Sequence, residues 1–424
     1  MSVFKPLSKL YLKDSSNIVA KWYIQISIEV TKMNIRKLSK DEMDYSISMS
    51  EFAFQLELTD EQRQQRKDMM NPEETWVAVE NDEIISKVTT LPFKTYIQGK
   101  EFLMGGVSGV VTWPENRRGG LVKTLLKKSL EEMKEKEQTI SFLFPFSIPF
   151  YRKYGWELFT DKKLVTVKKD QFPRFPKRTG TIRRVSKDYE LLSSIYEKFA
   201  PRFNGMLVRD KKWWNGRLFA NMKGQMAVYY DEQGEAQGYL AYDVKHRVMK
   251  VHELVYLNTD AWKSLWHFIS DHDSMIETVE YKTSANDPAL FFISNPLVEQ
   301  KVEAYFMARI VDVKPFLSQY PFHLAEGETV VLHVEDEFCE WNNGTYFITN
   351  REVKFFEQAK EGASCTHPPK RGVTCTVQHL TAMLLNYQKP TTLLYFDAIS
   401  GSENEIKLLE KVIPAREPAF YDFF

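Results

Sequence analysis

Residues 107–130, with the sequence VSGVVTWPENRRGGLVKTLLKKSL, constrain the fold of this chain more than any other segment. An apolar run predicts a strand, the stretch Arg-Arg-Gly-Gly at 117–120 predicts a loop, and the apolar spacing that follows predicts an amphipathic helix. The loop thus lies at a helix N-terminus, where unpaired N–H groups and the helix dipole favour an anion. The glycines allow close backbone approach and the arginines add positive charge. The segment therefore predicts a pyrophosphate-binding loop.

Glycine spacing separates this loop from two common nucleotide-binding loops. The chain has no Gly-x-Gly, which the dinucleotide fingerprint requires, and no Gly-x4-Gly-Lys-Ser/Thr, which the triphosphate loop requires. What remains is Arg-x-x-Gly-x-Val, from Arg117 to Val122. Because this motif alone also fits a solvated turn, the neighbouring elements decide its interpretation.

The elements predicted around the loop follow one order. Strands are predicted before it at 76–80, 84–91 and 93–98, with turns at 81–82 and 99–100. A short apolar run at 139–145 predicts a buried strand after the helix, and Tyr151 follows that strand. Antiparallel strands, a loop, a helix and a further strand resemble the GNAT acetyltransferases, in which the loop holds the pyrophosphate of coenzyme A.

The resemblance extends to a narrower family. VVTWPENRRGGLV, FYRKYGWE, the spacing between them and two further domains ending in an aromatic residue resemble the Eis-type (enhanced intracellular survival) acetyltransferases, from about Met33 to Phe424. The resemblance implies acetyl-CoA as the donor and a homo-oligomer, with a hexamer as its form.

The same resemblance implies the site residues. Residues 110–112 would present strand amides to pantetheine, 118–123 would form the pyrophosphate loop, and 146–147 would border the cofactor. Tyr151 would be the general acid and the terminal carboxylate of Phe424 the base. The implied cofactor-binding residues are Val110, Val111, Thr112, Arg117, Arg118, Gly119, Gly120, Leu121, Val122, Lys123, Phe146 and Ser147. The chain departs from the family at Gly119, where a third basic residue is common, and at Phe146-Ser147, where Ser-Glu is common.

The composition of the first domain also limits which groups can act as the general base. Every histidine lies at or after His246, so the first domain has none, and it has no cysteine nucleophile either. The candidates to deprotonate an acceptor amine are the Phe424 carboxylate, Glu51, Glu57 and a water chain. A solvated position on a surface helix is the more ordinary interpretation of both glutamates. The apolar end PAFYDFF predicts a docked C-terminal segment, and an α-carboxylate of ordinary pKa is ionised at neutral pH.

Composition and internal repetition predict three domains. Residues 1–32 form an expected N-terminal extension, which either precedes a physiological start at Met33 or is dispensable. The catalytic domain is expected at 33–175, a second, degenerate GNAT-like domain at 176–306, and a sterol-carrier-like domain at 307–424. The fold class is α+β: two GNAT-type mixed-sheet domains in tandem, followed by a sterol-carrier-protein-like α/β domain.

Two features of the second domain refine this prediction. It repeats the order strand, turn, strand, strand and helix, but its loop NTDAW has neither arginine nor glycine, so no pyrophosphate site is expected there. Trp213 and Trp214 are expected in a core or an interface rather than at a ligand.

Composition narrows the function. A formal net charge of +0 and a pI of about 7.1 give no global field that attracts nucleic acid. Cys365 and Cys375, with His367 and His379 nearby, fit no common zinc pattern, so no metal is expected, and the cysteine usage favours the cytoplasm. No membrane span is expected.

The leading hypothesis is an acetyl-CoA-dependent N-acetyltransferase acting on a small-molecule or peptide amine, such as an aminoglycoside, a polyamine or a lysine side chain. One alternative is a lipid or hydrophobic-ligand binding protein with a relict acetyltransferase domain. Another is a regulatory or assembly protein that binds coenzyme A without turnover.

Overall fold

The computed structural model describes residues 33–173, 175–176, 180–293, 295–357 and 371–424. The expected extension at 1–32 lies outside the described residues, as do Cys365 and His367. No helix in the described ranges is long and apolar enough to cross a membrane.

The first third of the chain forms six strands and four helices. The strands are β1 Asn34–Lys37, β2 Thr75–Glu80, β3 Glu83–Ile97, β4 Lys100–Thr112, β5 Ile140–Leu143 and β6 Glu157–Lys168. The helices are α1 Met43–Phe54, α2 Asp60–Met69, α3 Leu121–Glu135 and α4 Ile148–Arg152. The strands predicted separately at 84–91 and 93–98 are one continuous strand, β3, which passes through Pro92.

The remaining elements form two further units. The second unit contains β7 Thr181–Val185, β8 Gln225–Tyr230, β9 Ala236–Lys245, β10 Val248–Tyr256, β11 Thr278–Ser284, β12 Glu299–Ile310, α5 Tyr189–Phe199, α6 Lys211–Trp213, a π-helix Trp214–Phe219 and α7 Thr259–Ser270. The third contains α8 Val313–Gln319, β13 Val330–Glu335, β14 Gly344–Ile348, β15 Val353–Glu357, β16 Val373–Thr376, α9 Val377–Leu384, α10 Pro390–Tyr395 and α11 Glu403–Val412. Short 3-10 turns lie at Lys40–Glu42, Pro72–Glu74, Pro114–Asn116, Lys169–Gln171, Ala200–Arg202, Pro288–Phe292 and Glu340–Asn342.

The first two units share one 12-stranded sheet in the order β1-β2-β3-β4-β5-β12-β6-β11-β10-β9-β8-β7. Strand β12, late in the chain, lies between β5 and β6 and is antiparallel to both. Strand β6 in turn pairs with β11 of the second unit. The predicted boundary between residues 306 and 307 therefore falls inside β12.

The sheets are mixed, because β4 and β5, β10 and β11, and β13 and β16 are parallel pairs among antiparallel ones. Strands β13 to β16 form a separate 4-stranded sheet covered by helices. The α+β class, with two mixed-sheet units in tandem and a third α/β unit, is confirmed.

One apolar core joins the first and third units. Ile97 and Phe102 of the large sheet belong to the same buried cluster as Leu332 of β13 and Leu380 of α9. Burial of each such side chain contributes about 1.5–3 kcal/mol. The third unit is thereby fixed against the face of the large sheet opposite α3, and its C-terminal segment runs back to that face.

Candidate active site

Strands β4 and β5 separate part-way along the sheet. They pair only through residues 104–107 and 140–143. The register between β4 and β3 shifts opposite Lys87 and Thr89, and Gly109 there has a φ of 56°. A bulge of this kind bends a strand and redirects it. Within the described residues, the edge of β4 that faces β5 is therefore unpaired from Ser108 to Thr112.

The direction of the β4 amides follows from its pairing with β3. The Trp113 N–H donates to the Ile85 carbonyl at 3.1 Å. Because successive residues of a strand direct their N–H groups to alternate sides, Val111 also faces β3, whereas Val110 and Thr112 face the open edge. The prediction of three amides facing pantetheine is therefore corrected to two.

The loop after β4 leaves the start of α3 open. Arg118 has a φ of 71° and Gly120, the N-cap residue, a φ of 80°, so both lie in the left-handed region. No side chain of the described residues caps this helix, and its first backbone bond runs from the Thr124 N–H to the Gly120 carbonyl at 3.1 Å. The N–H groups of residues 121–123 thus lack intrahelical partners and form an anion site.

The two arginines of the loop differ in their contacts. The Arg117 Nε donates to the Thr112 carbonyl at 3.3 Å, which ties the loop to the end of β4. Arg118 is exposed and forms no ion pair with any described residue. Gly119 is exposed too, and a Cβ there would meet only the Asn116 carbonyl oxygen, at 3.9 Å. Arg118 is therefore the arginine free to bind a phosphate.

The second unit has no such open helix start. The Asn258 side chain accepts a hydrogen bond from the Ala261 N–H at 2.8 Å and so caps α7. Asp260 adds an acidic side chain to the first turn. Because α7 is capped by its own chain, the contrast with α3 supports a single pyrophosphate site.

Tyr151 lies on α4, beyond the end of β5. Its side chain is only 3% exposed and packs between Phe150 and Trp156, with ring centroids 5.2 and 6.2 Å away. The Tyr151 hydroxyl forms no hydrogen bond with a described residue. Burial raises its pKa above the ordinary value, so the hydroxyl is protonated at neutral pH and can act as an acid.

Phe146 and Ser147 lie next to this tyrosine. The Ser147 carbonyl accepts the Tyr151 N–H at 3.3 Å, and the Phe146 ring lies 5.4 Å from the Tyr151 ring. Phe146 is 71% exposed, so its ring forms an open wall beside Tyr151.

Phe424 lies on the other face of the sheet, against β4 two residues before the gap opens. A Cβ added to Gly106 of β4 would meet the Phe424 and Phe93 rings at 2.9 and 2.8 Å. Val107, the next residue, packs instead with the α3 side chains, and successive strand residues face opposite sides. Phe424 is 9% exposed, which confirms the predicted docking of the C-terminal segment. Tyr151 and Phe424 thus lie on opposite faces of the sheet, close to the point where β4 and β5 separate.

The alternative bases have different surroundings. Glu51 on α1 is in an ion pair with Arg63, and its side chain is 15% exposed. Glu57 is exposed in the segment between α1 and α2, not on a helix as expected. Neither glutamate is therefore placed as the C-terminal carboxylate is: the Glu51 carboxylate is engaged by Arg63, and Glu57 lies in an exposed segment.

Two functional candidates escaped the sequence-based prediction. Lys87 on β3 is 3% exposed and donates to the Ser46 carbonyl and hydroxyl and to the Ser50 hydroxyl. A lysine inside the apolar run IISKVTT was a visible signal of an unusual site. The second is a buried cluster around Arg209, whose members are distant in sequence. Trp213 and Trp214 are 8% and 0% exposed, which confirms their predicted buried positions.

Comparison with known proteins identifies the three units. Residues 34–159 and 205–310 each match the model of an acetyltransferase (GNAT) domain, and residues 313–421 match a sterol carrier protein domain. The chain contains two GNAT domains followed by a sterol carrier protein domain.

Individual relatives agree with this organisation. An uncharacterized N-acetyltransferase of Streptomyces griseus is 23% identical over 274 residues, which cover 57% of this chain and 64% of the relative. The chain thus spans less than two thirds of the length of this curated relative. A conserved protein of unknown function from Enterococcus faecalis V583, described as a probable N-acyltransferase, has a TM-score of 0.85 at 27% identity and covers 93% of this chain and 100% of its own. Eis1 from Mycobacterium abscessus shares the fold, with a TM-score of 0.77, 19% identity and the same coverage.

Proposed function

We propose that this protein is an acetyl-CoA-dependent N-acetyltransferase that moves the acetyl group directly to an amine. One observation carries the proposal: the open edge of β4 leads, through the Arg117-Arg118 loop, into the uncapped N-terminus of α3. The edge offers the Val110 and Thr112 amides to an extended pantetheine, and the helix start with Arg118 offers a place for the pyrophosphate. Arg117 holds the loop against Thr112.

The residues on the two faces supply the chemistry. The acceptor amine loses a proton and forms a C–N bond with the thioester carbonyl carbon, and the C–S bond then breaks. The open β4 amides polarise the carbonyl. The Tyr151 hydroxyl, kept protonated by its burial, gives its proton to the departing sulfur.

We propose the Phe424 carboxylate as the base that takes the proton from the acceptor. The Phe424 ring is held against Gly106 on the face opposite α3, and the proposal therefore has the acceptor bind on that face. An ionised carboxylate there also attracts an ammonium group, which favours aminoglycosides, polyamines and lysine-like amines as acceptors.

The extension of the chain beyond Phe424 tests this base. Adding a few residues after Phe424 moves the charge away, so acetylation should be abolished while acetyl-CoA still binds. Wild-type turnover by a tagged protein, with the tag shown to be intact by mass spectrometry, would remove the carboxylate from the mechanism.

The narrower assignment is also part of the proposal. We propose an Eis-type enzyme that works in the cytoplasm as a homo-oligomer, with a hexamer as its form. We keep residues 33–175 as its catalytic domain and move the boundary between the second and third domains from 306/307 to the end of β12 at Ile310. The motifs around Arg118 and Tyr151 support the Eis-type assignment, and light scattering coupled to gel filtration tests the assembly. A monomer at micromolar concentration would contradict the oligomer.

Thiol release tests the activity itself. Purified protein with acetyl-CoA should release free coenzyme A at a rate that depends on an added aminoglycoside, polyamine or Nα-blocked lysine, with a mono- or poly-acetylated product visible by mass spectrometry. Binding of acetyl-CoA without amine-dependent release for any of these acceptors would contradict the proposed activity.

A further inference from the structure

A buried charged cluster lies beneath the C-terminal segment. The Arg209 side chain is 0% exposed and lies between the carboxylates of Glu253, on β10, and Asp422. Its Nη1 and Nη2 donate to the two Glu253 oxygens at 3.1 and 2.6 Å. Its Nε donates to both Asp422 oxygens, at 3.0 and 3.1 Å. One arginine thus joins the second GNAT domain to the last residues of the chain.

Neighbouring side chains complete the hydrogen bonds of this cluster. The Trp213 indole N–H donates to Asp422 at 2.8 Å, and the Tyr239 hydroxyl donates to Glu253 at 2.7 Å. The Arg209 guanidinium lies 3.9 Å from the centre of the Tyr196 ring. Burial of charged groups is weak evidence for stability, because desolvation offsets the attraction, but a fully bonded cluster fixes the geometry of its members.

The cluster restricts the position of Phe424, two residues after Asp422. The Tyr305 hydroxyl donates to the Asp422 carbonyl at 2.8 Å, so main chain and side chain of Asp422 are both held. Two residues of chain span at most about 7 Å, so a fixed Asp422 limits where Phe424 can lie. The Trp213 ring also packs on Phe93 at 4.9 Å, and Phe93 packs on Phe424 at 5.0 Å. The second GNAT domain therefore contacts the C-terminal segment in two ways. It binds Asp422 directly, and it packs on Phe424 through Trp213 and Phe93.

We infer that Asp422 is a positioning residue for acetyl transfer: bound by Arg209 and Trp213 of the second GNAT domain, it places Phe424 at the open gap between β4 and β5. This inference rests on the proposed function. It gives the second domain a task in the reaction although its own helix α7 is capped by Asn258. Asp422 itself does not touch the reacting atoms and acts through Phe424.

Asp422 can be removed without leaving a buried cation alone. After Asp422→Ala, Arg209 keeps both hydrogen bonds to Glu253. Substitution of Arg209 would instead leave two buried carboxylates together, which is strongly destabilising. Asp422→Asn keeps an oxygen that can accept from Trp213 and Arg209, so it is the conservative variant.

The experiment compares steady-state kinetics and acetyl-CoA affinity of full-length variants that end at Phe424 by mass spectrometry. Asp422→Ala should lower kcat on the order of 10- to 100-fold, as small misplacements of reacting groups do, with an unchanged Kd for acetyl-CoA. Asp422→Asn should recover part of that loss. Tyr281→Phe is the matched control: it removes a buried hydroxyl on β11 of the second GNAT domain that lies outside the cluster and has no hydrogen-bond partner among the described residues, so it should keep the wild-type kcat.

The outcomes separate the inference from the proposed function. Wild-type kcat in Asp422→Ala, in a protein that loses activity when Phe424 is deleted, would overturn the positioning role while leaving the acetyltransferase intact. Absence of amine-dependent turnover in the wild type would remove the proposed function and, with it, any positioning role. Should Asp422→Ala not fold, Trp213→Phe removes the indole hydrogen bond to Asp422 and reduces the ring that packs on Phe93, so it weakens both contacts through which Trp213 reaches Phe424. A kcat equal to that of Tyr281→Phe would then overturn the inference.

Discussion

Arg117 and Arg118 are adjacent in sequence but differ in their hydrogen bonds to the rest of the protein. Arg117 is tied to the Thr112 carbonyl, whereas Arg118, in the left-handed region, has no ion-pair partner among the described residues. One arginine thus ties the loop to the end of β4, and the other is left for a ligand.

Substitution of Arg118 tests the pyrophosphate site. Arg118→Ala should weaken acetyl-CoA binding by about 1.5–3 kcal/mol, roughly ten- to hundredfold in Kd, because a charge-assisted phosphate contact is lost. Lys128→Ala removes a positive charge from an exposed position further along α3 and is the control. Calorimetry that gives one Kd for both variants would place the pyrophosphate elsewhere.

Tyr151 allows a clean test of the general acid. Its hydroxyl has no hydrogen bond to lose among the described residues, so Tyr151→Phe should leave the melting temperature unchanged. Turnover should fall by about 10²–10⁴-fold, because the proton reaches the sulfur as it departs, while the Kd for acetyl-CoA stays constant. Tyr154→Phe, three residues further on, is the matched variant. A kcat retained in Tyr151→Phe, where chemistry limits the rate, would assign the acid to another group.

Lys87 should make stability depend on pH. Burial, with a smaller contribution from Arg66, lowers its pKa from 10.5 to about 7. Between these values the unfolded chain binds the proton and the folded chain does not, so stability rises with pH across this window by up to about 1.4 kcal/mol per unit. Lys87→Met lacks this dependence. The difference in unfolding free energy between the variant and the wild type should therefore be largest near pH 7 and shrink towards pH 10.

Urea unfolding of both proteins at pH 7, 8 and 9 measures that difference. Lys94→Met, at an exposed position on the same strand, is the control for a general effect of removing a lysine. A constant difference across the three pH values would show that Lys87 is charged in the folded protein.

At the scale of elements, prediction from sequence succeeds where the signal is local. The strand, loop and helix around Arg118 follow from periodicity and glycine placement over a few turns. The sequence predicts two strands where the structure has β3 alone, because a proline such as Pro92 usually ends a strand. In the structure β2 stops pairing at Thr89, so β3 has a partner on one side only at Pro92 and the missing N–H need break no ladder bond.

Long-range contacts explain what the sequence does not reveal. Arg209 is separated from Glu253 by 44 positions and from Asp422 by 213. Nothing in the local pattern around any of them indicates a shared cluster, because the pairing depends on how the units pack. The placement of Phe424 against Gly106 is equally non-local. The apolar end of the chain predicted that the C-terminal segment is docked, but not which residues it contacts.

At the scale of the whole molecule, the first two units are joined because β12, a strand of the second unit, is inserted between β5 and β6 of the first. Each side chain from Phe306 to Ile310 of β12 is 0% exposed, and this stretch fills the space between β5 and β6. Without β12, both neighbours expose a row of unpaired backbone groups and the apolar side chains that β12 covers. The first unit is therefore incomplete without a strand that begins about 130 residues after β6 ends.

This architecture predicts how fragments behave. Residues 33–175 alone should show no cooperative thermal transition and no acetyl-CoA binding, because β5 and β6 each have an unpaired edge where β12 is missing. Co-expressed with residues 176–424, the same fragment should fold, since β6 can then pair with β11 while β12 pairs with β5. The break lies in the connection after β6 and interrupts no strand. An affinity tag on the first fragment should then retain the second, and the complex should bind acetyl-CoA with the affinity of the intact chain. A cooperative transition and full acetyl-CoA affinity in the isolated first fragment would mean that β12 is dispensable to the catalytic unit.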